Sequence, residues 1–70
     1  MDMQPVESSN VSAVGYDPES QTMHVEFKGG SRYEYAGVPP ETHAELMQAQ
    51  SIGRHLHERI KGAHQHKRLA

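Results

Sequence analysis

Thr22 to Val38 reads TMHVEFKGGSRYEYAGV, and its residues alternate in character on both sides of a Gly-Gly pair. Met23, Val25 and Phe27 fall on one side of an extended chain, with His24, Glu26 and Lys28 on the other. A period of two belongs to a strand with one buried face. Beyond the glycines, Tyr33 and Tyr35 share one face, and Arg32 and Glu34 share the opposite one. Gly29-Gly30 can take positive φ at both positions, as a two-residue type I′ loop requires. The stretch is therefore expected to form a β-hairpin with one apolar face.

Upstream, NVSAVGY supplies a further strand carrying Val11, Val14 and Tyr16, followed by Asp17-Pro18 placed as in a type I turn. Downstream, Pro39-Pro40 stops strand pairing, because proline has no N–H to donate. Pro40 suits the first turn of a helix, and Glu41 complements its dipole. ETHAELMQAQ then reads as a short helix with His43, Leu46, Met47 and Gln50 along one side. Ser51 is placed to cap a second helix, whose Ile52, Leu56, Ile60 and Ala63 form one stripe. Gly62 weakens that helix near its end. The expected fold is α+β: a three-stranded antiparallel meander followed by two α-helices packed on one face, β-β-β-α-α. Residues 1–9, polar and containing Pro5, are expected to be a mobile tail. Residues 10–64 form the single domain, and 65–70 a basic C-terminal tail.

The chain has 70 residues, of which 34% are hydrophobic, with no Trp and one Phe. A domain of this size buries only about 60% of its unfolded surface, so its core is small. Without cysteine there is neither a disulfide nor a thiolate metal site. Oligomerisation is the simpler remaining support. A three-stranded meander leaves two edges open, so a homodimer paired across an edge is expected. The opening MDMQPVESSN lacks the basic and apolar stretches of a secretory signal. No apolar run approaches the ~20 residues that span a bilayer. The expected location is the cytoplasm, with no membrane role.

The segment SIGRHLHERIKGAHQHKR, residues 51–68, holds four of the six histidines and five of the seven Lys/Arg. On a helix, His55 and His57 diverge by about 200° and share no ion. His57-Glu58 does not continue as H-E-x-x-H. No metal or cofactor is expected. Ser51, His55 and Glu58 share a flank, but Ser51 is better explained as a cap, and no enzyme or small-molecule substrate is expected.

Helical projection instead groups Arg54, His57, Lys61 and His64 away from the apolar stripe, with Lys67 and Arg68 extending the charge. Residues 1–51 carry eight acids against Lys28 and Arg32, a balance of −6. Residues 52–70 carry five bases against Glu58 alone, a balance of +4. Such a row can follow a phosphate backbone with salt-dependent affinity. The expected function is non-enzymatic binding of DNA or RNA through Arg54, His57, Lys61, His64, Lys67 and Arg68. The alternative is a homodimeric protein-interaction module, and the plain reading is a solvated helix face. Tyr33 and Tyr35 are expected in the core, with a base-stacking platform as the competing role.

With this element order in place, the residues resemble the KTSC domain family. Val14-Gly15-Tyr16-Asp17, Val25-x-Phe27, Gly30 and Tyr33-x-Tyr35 are similar to its first half. Gly37-Val38-Pro39, Leu46, Ala49, Ser51-x-Gly53 and Ile60-x-Gly62 are similar to its second half. The family takes its name from the C-terminus of some lysyl-tRNA synthetases and includes free-standing bacterial and phage proteins. The resemblance covers roughly residues 9 to 62. It implies a compact α+β domain and nucleic-acid or tRNA-related binding. The chain departs from the family pattern after Arg54, where His55, Leu56 and His57 stand in place of two aromatics and an Asn.

Overall fold

The hairpin lies in the middle of a larger sheet than its sequence announces. A computed structural model describes residues 2–69. In chain order it contains β1 (Met3–Pro5), β2 (Val11–Asp17), β3 (Thr22–Phe27), β4 (Arg32–Tyr35), α1 (Pro40–Met47), α2 (Ile52–His55) and β5 (His66–Arg68). A π turn at Leu56–Ile60 continues α2. The strands lie in the order β1-β2-β3-β4-β5 with every neighbour antiparallel. The α+β class stands, but the meander has five strands rather than three, and the last follows the helices.

Both added strands come from segments expected to be tails, of which Met1 and Ala70 lie outside the described residues. Met3, Gln4 and Pro5 pair with Gly15, Val14 and Ala13. Pro5 is compatible with that place because β1 is an edge strand. His66, Lys67 and Arg68 pair with Tyr35, Glu34 and Tyr33. The open edges of β2 and β4, on which the expected homodimer was argued, are thus both paired within the chain.

The loop between β3 and β4 is longer than the type I′ expectation, for a reason set by the side chains. Only Gly30 of the pair has positive φ, at 96°. Phe27 N–H donates to the Ser31 carbonyl (2.8 Å), and Gly30 N–H donates to the Phe27 carbonyl (2.9 Å). Lys28, Gly29 and Gly30 therefore form a three-residue loop ending in a left-handed glycine. That loop places Val25 opposite Tyr33 and Met23 opposite Tyr35. A two-residue loop would shift the register by one and set Val25 against Glu34. The hydrophobic pattern decides the loop.

A similar adjustment shapes β2. Its register with β3 shifts between Val11 and Ala13. The bulge lets Val11 and Val14, three residues apart, both reach the core, where they are 0% and 2% exposed. They join Met23, Val25, Tyr35, Val38, Leu46, Ile52, Leu56 and Ile60 in one cluster. Val38 is anchored by its N–H donating to the Gln21 carbonyl (2.8 Å), which Gln21 presents at φ 56°. Its carbonyl accepts from the Tyr16 hydroxyl.

The helices begin where the sequence placed them. Pro40 opens α1 with Glu41 in the first turn. Ser51 caps α2, its hydroxyl accepting from Arg54 N–H at 3.4 Å. The continuation departs from α geometry: Lys61 N–H donates to the Leu56 carbonyl five residues back (2.9 Å). Four residues of α-helix overshoot one turn by about 40°. The wider π turn opposes that drift and keeps both Leu56 and Ile60 buried. Among the described residues, no helix is long and apolar enough to cross a membrane.

Register places Gly15, His24, Glu34 and Lys67 in one row on the sheet face turned away from the core. His24 Nε2 lies 3.1 Å from Glu34 Oε1, Lys67 Nζ lies 3.5 Å from Glu34 Oε2, and Arg32 pairs with Glu26 at 2.9 Å. The hydrogen bond with His24, with help from Lys67, holds the Glu34 carboxyl below its ordinary range. On the helical side, His43 stacks on Tyr16 with centroids 4.4 Å apart and planes within 7°. Burial holds the His43 pKa below its usual value.

Both depressed groups take up protons more readily in the unfolded chain, so both make stability fall on acidification. The loss begins as pH falls through the ordinary histidine value of 6.5 for His43, and through the ordinary carboxyl value of 4.5 for Glu34. Thermal melts between pH 7.5 and 4 should show a falling midpoint. The decline above pH 5 should be shallower in His43→Phe, which keeps the stack. An identical pH dependence in that variant would contradict the assignment to His43.

Candidate functional site

The loop end of the β3–β4 hairpin and the π turn enclose a cleft of about 330 Å³. Phe27 and Tyr33 line it from the sheet, His57 and Lys61 from the helical side, and Asn10 and Ser31 supply polar edges. The two rings meet edge to face with centroids 5.7 Å apart. Tyr35, farther along β4, is 2% exposed and belongs to the core, where burial pushes its hydroxyl pKa up. Both tyrosines of the Tyr-x-Tyr pattern line the cleft, but they differ in burial: Tyr35 does so from the core, while Tyr33 is half-buried.

Asn10 reaches the cleft because α2 approaches it through Gly53. A Cβ on Gly53 would stand 3.0 Å from Asn10 Oδ1. That oxygen also accepts from the Ser9 hydroxyl at 2.7 Å. Glycine is a poor helix former. A side chain at this place in the first turn of α2 would require the Asn10 carboxamide to give way by a few tenths of an ångström.

The π turn divides the row of basic residues expected from helical projection. An i→i+5 turn holds one residue more than an α turn, so the faces before and after it fall out of phase. His57 and Lys61 share the cleft. Arg54 lies on a separate shallow groove with Ser51, His55, Glu58 and Arg59, and its Nε donates to Glu58 Oε1 at 3.2 Å. His64 lies beyond the helical segment, half-buried, its N–H bonded to the Ile60 carbonyl (3.1 Å). Lys67 is on the opposite sheet face beside Glu34. Arg68 shares the face of Tyr33 by register, and its guanidinium donates to the Ser31 hydroxyl at 3.4 Å.

The structure thus gathers His57 and Lys61 around one cleft, with Arg68 bonded to its Ser31 edge; His64 shares a second depression with Lys61, while Arg54 and Lys67 lie apart. Of the aromatic and polar lining, Asn10, Phe27 and Ser31 were not among the expected site residues, while Tyr33 was expected in the core with base stacking as its competing role. The sequence signal for this wall was the aromatic alternation, which favours core. His55 and His57 line different grooves. Among the described residues, no group of three or more His, Asp or Glu is placed to hold a metal ion.

The KTSC domain model matches residues 7–64. The chain belongs to the KTSC domain family. A crystal structure of a KTSC domain protein from Yersinia pestis superposes with a TM-score of 0.91 at 36% identity, covering 99% of this chain and 97% of that one. A protein of Tsukamurella paurometabola is 48% identical over 59 residues, 84% of this chain and 88% of that protein. A lysine–tRNA ligase of Nostoc sp. is 41% identical over 64 residues, which are 91% of this chain but 11% of the ligase. The KTSC fold therefore occurs both as a small protein and as the C-terminal region of a much larger one. β1 and β5 fall outside the segment that the family model matches.

Proposed function

We propose that this KTSC domain is a non-enzymatic nucleic-acid-binding module centred on the cleft between the β3–β4 loop and the π turn. The observation that carries the proposal is the pairing of a half-buried aromatic wall, Phe27 and Tyr33, with His57 and Lys61 across one cleft. A lysine and a hydrogen-bonding imidazole beside aromatic rings form a general platform for phosphate and base. The local charge agrees, since residues 52–70 carry a balance of +4. A similar domain in lysine–tRNA ligases, which by name act on a tRNA, is consistent with an RNA ligand.

Titration of fluorescently labelled RNA and DNA across a salt series tests the proposal. Affinity should fall as salt rises, and Lys61→Glu should weaken binding by at least about tenfold while reducing the salt slope by about 1. Arg54→Glu should have the smaller effect, because Arg54 is paired with Glu58 on another groove. Absence of binding at low salt would remove the proposal. Equal effects of the two reversals would relocate the site to a diffuse helical face.

A further inference from the structure

The cleft is small compared with a duplex, and its walls offer what a single nucleotide uses. Its volume of about 330 Å³ falls near the low end of the ~300–1,000 Å³ range of small-ligand sites. We infer that it receives one unpaired base of a single-stranded nucleic acid, held against Tyr33, with the adjoining phosphate met by Lys61 and His57. This inference rests on the nucleic-acid reading and specifies its ligand as unpaired.

Three features of the cleft support an unpaired base. Phe27 meets Tyr33 edge to face, at 5.7 Å between centroids, so the tyrosine ring is braced before any ligand arrives. A preset ring loses little freedom on stacking a base. The Ser31 hydroxyl and the Asn10 carboxamide line the same cleft and match the donors and acceptors on a base edge. Asn10 is held by Ser9 and fits beside α2 because Gly53 has no Cβ.

Charge completes the match. Lys61 and His57 line the helical wall, and Arg68 reaches the cleft through Ser31. A duplex keeps its bases stacked on one another and offers none to a side wall. Single strands, bulges and ends can splay a base out.

The experiment uses the full chain with labelled single-stranded RNA, single-stranded DNA and the two corresponding blunt duplexes at low salt. Intrinsic tyrosine fluorescence is a second readout, since the chain has three Tyr and no Trp. Single strands should bind at least about tenfold more tightly than duplexes and quench tyrosine emission. Tyr33→Leu should lose about tenfold in single-strand affinity and most of the quenching, with duplex affinity and salt slope unchanged. Tyr33→Phe should retain the affinity. Ser31→Leu fills the cleft from its polar edge without altering the core, and should reproduce the loss if Tyr33→Leu fails to fold.

Preference for RNA or DNA among the single strands identifies the sugar and supports the inference either way. Equal affinity for single strands and duplexes overturns it, as does unchanged single-strand affinity in both Tyr33→Leu and Ser31→Leu. In those cases the broader nucleic-acid reading survives. No binding by any strand overturns both.

Discussion

Ile60→Ala should unfold a large fraction of this protein at temperatures where the parent chain is folded. Ile60 is 0% exposed and closes the π turn against the main core cluster. Truncating a fully buried isoleucine to alanine costs about 2–5 kcal/mol, from lost transfer energy and the remaining cavity. Total stability for a chain of this length is roughly 4–10 kcal/mol, at about 0.05–0.15 kcal/mol per residue. The substitution therefore removes a major share of what holds the fold together. Urea denaturation followed by far-UV circular dichroism measures it directly. Ile60→Val should cost about 0.5–1.5 kcal/mol. Leu69→Ala, at a side chain 42% exposed, should stay within about 0.5 kcal/mol of the parent. If Ile60→Ala were as mild as Leu69→Ala, the helical segment would not be closing this core.

The central hairpin, both helix starts and the inward stripe of Ile52, Leu56 and Ile60 were legible because each has a strong local cause. Alternation marks β3 and β4, Pro40 marks α1, and the Ser51 hydroxyl marks α2. The two edge strands had no such signal. β1 is three residues long with a proline, and β5 is three polar residues, all exposed. Their ladder bonds are made by backbone, which a side-chain pattern does not report. The Gly-Gly loop was misjudged from its own residues, although the flanking pattern contained the answer: apolar residues face one another only across a three-residue loop. The proposed cleft was half legible. His57 and Lys61 were found through charge, but their separation from Arg54 depends on a π turn. Tyr33 was expected in the core, yet it stays half-buried beside Phe27 with Arg68 of β5 as its ladder partner, a place that strand alternation alone does not report.

Deleting residues 65–70 should destabilise the domain and make it associate. In the intact chain, β5 covers β4 with the register Tyr35–His66, Glu34–Lys67 and Tyr33–Arg68. Further bonds run from Ala36 N–H to the Gln65 carbonyl (2.9 Å) and from Leu69 N–H to the Arg32 carbonyl (2.7 Å). Each backbone hydrogen bond contributes about 0.5–1.5 kcal/mol net. Loss of the strand should therefore cost about 2–4 kcal/mol, with the His66 ring also withdrawn from Tyr33 and Tyr35. The newly open β4 edge offers unpaired N–H and C=O groups to a second copy. Its melting midpoint should consequently depend on concentration, and sedimentation should show species heavier than the monomer mass of 7.8 kDa less the deleted residues. The comparison that isolates the backbone is the triple substitution His66→Ala, Lys67→Ala and Arg68→Ala. It keeps the ladder, removes the exposed Lys67–Glu34 ion pair together with the His66 ring, and should be much milder. If the triple substitution and the deletion were equally damaging, side chains rather than strand pairing would hold β5 in place. If the deletion left stability and mass behaviour unchanged, the fifth strand would have no part in closing the sheet.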